Sequence, residues 1–108
     1  MSQFSDTLDR LAATIAARKG ADPASSYTAK LLAEGPERCA KKFGEEAIET
    51  VIAAVSGDPD ATAAESADLI YHWLVLLAAA GVSLDDVASK LEAREGRSGL
   101  EEKASRTS

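Results

Sequence analysis

Four carboxylates carry the most chemistry this sequence offers. Glu46 and Glu49 stand three residues apart, and Glu65 and Asp68 repeat that spacing further along the chain. At about 100° per residue, groups three apart share one face of a helix. Two such pairs on adjoining helices would meet across a short turn. Gathering ionised carboxylates is costly, because each loses hydration and repels its neighbours. A divalent cation removes that conflict. Mg²⁺ is a hard ion held by a few carboxylates together with water and substrate phosphates. The plainer alternative is a solvated acidic stripe, and the spacing alone leaves both open.

Other groups stand near the acids. Glu45 lies between the acidic and apolar sides of its helix. Lys42 precedes Glu46 by one turn, which suits either an i,i+4 ion pair with Glu46 or a phosphate contact. Lys30, Arg38, Arg94, Arg97 and Lys103 are further cations that could meet a polyphosphate, and for each of them solvated surface is the plainer role. His72 follows Asp68 by one turn. It is a candidate ligand or base, and the alternative is a packing histidine hydrogen-bonded to a neighbour. Di-iron bundles carry Glu-x-x-His pairs, and none occurs here. Cys39 and Trp73 are expected to pack.

The elements that must position these residues read as helices throughout, with no period-2 alternation. Leu8, Leu11, Ala12 and Ile15 recur at helical spacing, with Asp6 as the expected N-cap. Residues 20–25 read as a loop. A short helix is expected from about Thr28 to Glu34, ended by Gly35. Pro36 opens a third helix to about Ser56. On it Lys42, Glu46, Glu49 and Ala53 form one stripe, and Gly44, Ile48, Val51, Ile52 and Val55 gather opposite. The apolar side is expected to pack, leaving the acidic stripe to solvent or a cleft.

A fourth helix is expected from about Ala61 to Ala80. Beyond Leu69 it is apolar nearly all round, which predicts burial in the core or in a subunit interface. Ser83 and Asp86 form a capping box for a fifth helix carrying Leu84, Val87 and Leu91, closed by Gly96. The expected fold is an all-α bundle of about five helices in a single domain, 1–108, with a polar tail from about residue 97.

The chain has 108 residues, 45% of them hydrophobic. Many are alanines, so the core is thin and dimerisation is an expected way to complete it. The net charge of −6 argues against non-specific binding to nucleic acid or an anionic membrane. It leaves a nucleotide substrate open, since local cations or a metal ion can receive phosphates. One cysteine excludes an intrachain disulfide or a Cys-rich zinc site and suits a reducing compartment. No apolar h-region follows Met1, and the run from Leu69 to Val82 is short for a bilayer span. A cytoplasmic protein is expected.

Several stretches together resemble the phosphoribosyl-ATP pyrophosphohydrolase family, over nearly the whole chain. They are Ser26-Tyr27-Thr28-Ala29-Lys30-Leu31, Lys41-Lys42-Phe43-Gly44-Glu45-Glu46-Ala47-Ile48-Glu49, Glu65-Ser66-Ala67-Asp68-Leu69-Ile70-Tyr71-His72, and Arg97-Ser98-Gly99-Leu100-Glu101-Glu102-Lys103. The family belongs to the MazG-like all-α nucleotide pyrophosphohydrolases, and it catalyses the second step of histidine biosynthesis. The resemblance implies Glu46, Glu49, Glu65 and Asp68 as Mg²⁺ ligands and Lys42 as a phosphate contact, with Lys30 and Arg97 as further phosphate contacts. Glu45 would lie nearby, and Glu45 or Glu49 would take the proton of water. The implied substrate is 1-(5-phosphoribosyl)-ATP, a small-molecule nucleotide, and a homodimer is expected with the fourth helix near its interface. Two rivals remain at this stage. One is a house-cleaning pyrophosphatase of nucleoside triphosphates, and the other is a non-catalytic helical interaction module.

Overall fold

The structure is a computed structural model, and it describes residues 2–95. Five α-helices, and no strand, occur among the described residues: α1 (Gln3–Arg18), α2 (Tyr27–Glu34), α3 (Pro36–Val55), α4 (Pro59–Ala80) and α5 (Leu84–Arg94). The all-α expectation is met.

Each start has a local cause. Ser2 caps α1, its hydroxyl accepting from the Ser5 amide at 3.0 Å. The expectation that Asp6 is the cap is therefore corrected. Asp6 lies in the first turn, where a negative charge faces the positive helix end. Ser26 caps α2 through the Ala29 amide. Pro36 opens α3 as its spacing predicts. α4 starts two residues before the expected Ala61, because Asp58 caps it and Pro59 takes the first position. Ser83 and Asp86 form the full capping box of α5. α5 ends at Arg94, with Glu95 as its C-cap, and Gly96 lies outside the described residues.

α3 and α4 form the most extensive helix pair. They are joined by residues 56–58, so α4 folds back along α3. Gly57 takes a φ of 76° in that link, a left-handed conformation that glycine adopts without strain. The fully buried core lies at the far end of the pair. There Leu74 and Val75 of α4 meet Ile15 of α1, Leu31 of α2 and Cys39 of α3. The Cys39 thiol donates to the Leu31 carbonyl oxygen at 3.3 Å. Trp73 is half-buried against the same cluster, so both residues pack as expected.

Two expectations about faces change. The apolar side of α3 does not pack within the chain: Ile48, Val51, Ile52 and Val55 are 63%, 61%, 60% and 84% exposed. The opposite side turns inward instead, with Cys39 and Ala53 buried and Lys42 and Glu46 half-buried. The reason is that α4 lies over that side. α4 is central, yet its N-terminal half keeps Ala63, Ala64, Ala67 and Asp68 exposed. On α5 no residue is fully buried, and Leu91 is exposed.

Candidate active site

The stripe of α3 that borders α4 follows the 3,4 spacing of a helix–helix seam: Cys39, Lys42, Glu46, Glu49, Ala53, with Glu49 at its exposed edge. On α4 the matching series is Ala61, Glu65, Asp68, His72, Val75, with Asp68 at its exposed edge. The antiparallel hairpin runs the two series in opposite directions. Near the turn, Ala53 and Ala61 line one hollow with Glu49, Ile52 and Glu65. At the far end, Cys39 and Val75 share the core. The acids fall between two apolar ends, and His72 feels the charges of Glu46, Lys42, Asp68 and Glu45.

Glu46, Glu49 and Glu65 converge. Each offers one carboxylate oxygen, and the three oxygens lie within 4.8 Å of one another. Glu46 and Glu65 are half-buried and Glu49 is exposed. Glu65 Oε2 is buried without a hydrogen-bond partner. Loss of solvent, followed by the charges of Glu49, Glu46 and Asp68, pushes the Glu65 carboxyl above the ordinary glutamate value. An unpaired buried acceptor among like charges is unfavourable as it stands. Three convergent hard oxygens fit a hard divalent cation.

Other candidates are placed as follows. Asp68 is exposed and lies outside the convergent trio, while its charge still acts on Glu65. Lys42 pairs with Glu45 at 3.5 Å, an i,i+3 pair in place of the i,i+4 pair with Glu46 that was one of its two alternatives. Lys42, Glu45, Glu46 and Glu49 line one open hollow with Ile48 and Ile52. Lys30 is exposed on α2, and Arg38 pairs with Glu34 at 3.2 Å. Arg97 and Lys103 lie outside the described residues.

His72 is buried on α4, as a packing histidine would be. Its Nδ1 has no hydrogen-bond partner, which departs from the expected bond to a neighbour. Loss of solvent lowers its pKa below the usual histidine value, so the ring is neutral near pH 7. Its neighbours are aromatic: Tyr71 at 4.9 Å and Tyr27 at 6.3 Å between ring centroids, both edge-on. Sequence reasoning used Tyr27 only within a motif. Helical spacing within α2 carries no trace of this contact with α4.

Fold and cluster together define an all-α protein with a candidate divalent-cation centre on a helical hairpin. The sequence profile of the family described as phosphoribosyl-ATP pyrophosphohydrolase matches residues 8–95. A protein of Caulobacter sp. (strain K31) called phosphoribosyl-ATP pyrophosphatase is 68% identical over 108 residues, covering 100% of each chain. Proteins with the same name from Jannaschia sp. (strain CCS1) and Parvibaculum lavamentivorans are 65% and 64% identical. The first covers 92% of this chain and 97% of its own, and the second covers 98% and 97%. The chain belongs to the phosphoribosyl-ATP pyrophosphohydrolase family.

Proposed function

We propose that this enzyme hydrolyses 1-(5-phosphoribosyl)-ATP to 1-(5-phosphoribosyl)-AMP and pyrophosphate, the second step of L-histidine biosynthesis. The observation that carries the chemistry is the convergence of Glu46, Glu49 and Glu65 around the unpartnered Glu65 oxygen. Its family membership, and full-length relatives named for that activity, support the substrate. Glu46, Glu49 and Glu65 would hold Mg²⁺, with Asp68 of the next turn as a fourth oxygen donor. Bound there, Mg²⁺ supplies Lewis acidity toward the phosphate oxygens and offsets their charge.

The chain's own residues do the rest. Water adds to phosphorus, the α–β phosphoanhydride bridge breaks, and pyrophosphate leaves. Glu45 or Glu49 accepts the proton of the attacking water. The Lys42 ammonium, already beside the acids, stabilises charge on the leaving pyrophosphate. Lys30 and Arg97 are further phosphate contacts in this reading. The 1–108 chain acts as one domain, in the cytoplasm, without nucleic-acid or membrane partners. No single described helix is long and apolar enough to cross a membrane.

The same reading makes the protein a homodimer, formed through α3 rather than α4. The exposed aliphatic face of α3 supports this, since Ile48 and Ile52 border the hollow of Glu45, Glu46 and Glu49. A second copy there would cover both the aliphatic face and one side of the acidic site.

The test is pyrophosphate release from phosphoribosyl-ATP at saturating Mg²⁺. Glu46→Gln should lower turnover at least about a hundredfold with helical content kept. Near-normal turnover by that variant would overturn the site. No release by the unsubstituted protein would overturn the substrate.

A further inference from the structure

The Ser26-Tyr27-Thr28 motif takes no part in the metal chemistry, yet all three residues fix the start of α2. Ser26 caps the helix through the Ala29 amide. The Thr28 hydroxyl hydrogen-bonds the Tyr71 hydroxyl of α4, far along the sequence. Tyr27, between them, meets His72 edge-on, with ring planes at 89°. The helix start is thus held by a cap on one side and a tertiary hydrogen bond on the other. Tyr27 nevertheless stays 52% exposed.

Its position along the seam gives the exposed ring a use. His72 is 94% buried, and the charges acting on it include those of Lys42 and Glu46. It stands two turns along α4 from Glu65, about 10 Å of helix rise. That distance is of the order separating the polyphosphate of an extended nucleotide from its base. From Glu65 toward His72 the seam passes from acids to Lys42 and then to aromatic rings. His72 adds a buried Nδ1 without a partner at the same place. Exposed aromatic rings bind nucleobases by stacking, whatever the base, because every base has a π face.

We propose that Tyr27 is a substrate-contacting residue: its exposed ring, backed by His72, stacks on the base of the nucleotide whose phosphates lie at the carboxylate cluster. Tyr27 thereby favours nucleotides over base-free polyphosphates. This inference rests on the cluster being the phosphate site of the proposed enzyme.

The experiment uses the full chain with Mg²⁺ and the variants Tyr27→Leu and Tyr27→Phe. Leucine keeps apolar bulk and helix propensity but removes the π face. Tyr27→Leu should raise KM for phosphoribosyl-ATP about tenfold, with the loss falling on KM rather than kcat. Inhibition by inorganic tripolyphosphate, which has no base, should be equal in Tyr27→Leu and the unsubstituted chain. Tyr27→Phe should rescue the KM. Tyr27→Met serves as a second ring-free variant should Leu disturb folding. An unchanged KM, or equal weakening toward tripolyphosphate, would overturn the proposal. If the unsubstituted chain does not turn over phosphoribosyl-ATP, the substrate assignment fails on its own. The same comparison is then read by calorimetry with Mg²⁺ and ATP against tripolyphosphate. There, ATP binding insensitive to Tyr27→Leu would overturn the stacking role.

Discussion

At Glu65, burial and like charge act in the same direction. Both raise its carboxyl above the ordinary value of 4.5, so folding favours the protonated form. That contribution to stability is full below the unfolded value and is lost as pH rises through the raised folded value. The ionised Glu65 carboxylate is therefore an unfavourable charge in the metal-free protein, which a cation would relieve. Glu65→Gln should raise the melting temperature of the metal-free protein at pH 7 and remove most of the rise that Mg²⁺ produces. Thermal unfolding with EDTA and with Mg²⁺ checks both, and an undiminished Mg²⁺ response would refute a metal role for Glu65. Spacing was enough to put Glu46, Glu49 and Glu65 on facing stripes. It could not show that Asp68 stands outside the trio or that Lys42 turns to Glu45, since side-chain direction is chosen by neighbours that a periodicity does not contain. Tyr27 against His72 was illegible for a related reason: the contact joins two helices far apart in sequence.

Helix boundaries follow short-range chemistry, and most could be read directly. Pro36 fits the first turn of α3 because its missing amide proton has no helical partner there. Gly81 ends α4 with a φ of 74°, which its missing Cβ permits. Two starts lie earlier than the apolar rhythm suggests. The apolar rhythm of α1 begins at Leu8, whereas its cap is Ser2 among polar residues. At α4, Pro59 stands just inside the helix start, where a proline is favourable, and Asp58 before it supplies the cap. The capping box of α5 offers a test at this scale. Ser83→Ala removes the acceptor for the Asp86 amide and should cost about 1 kcal/mol. Urea unfolding measures the loss. Turnover of phosphoribosyl-ATP should be kept, because α5 contributes nothing to the carboxylate seam, and a large drop in kcat would contradict that separation.

At the scale of the whole molecule, the fold class and the five helices of the described residues were legible because no stretch there competes with the helical period. The packing of α3 was not. An aliphatic face was expected to turn inward, but α4 covers the opposite face, where Cys39 and Ala53 allow close approach and the acids gather between them. A chain read alone cannot tell an inner apolar face from one awaiting a second copy. Sedimentation should find a dimer at micromolar concentration. Val51→Lys combined with Val55→Lys should shift it to monomer with helical content intact, since both positions are exposed within the chain. A variant that stays dimeric would place the interface elsewhere.

α4 carries Glu65 in its first half and Leu74 and Val75, the centre of the core, in its second. One continuous helix thus belongs to both the site and the core. Prying the seam apart to release a bound cation would strain the contacts around Val75 as well. In the language of cooperative units, the carboxylates belong with the part of the chain that opens last, not with a loop that opens first. Occupancy of the site would accordingly register as resistance of the whole fold to unfolding rather than as the stiffening of one segment.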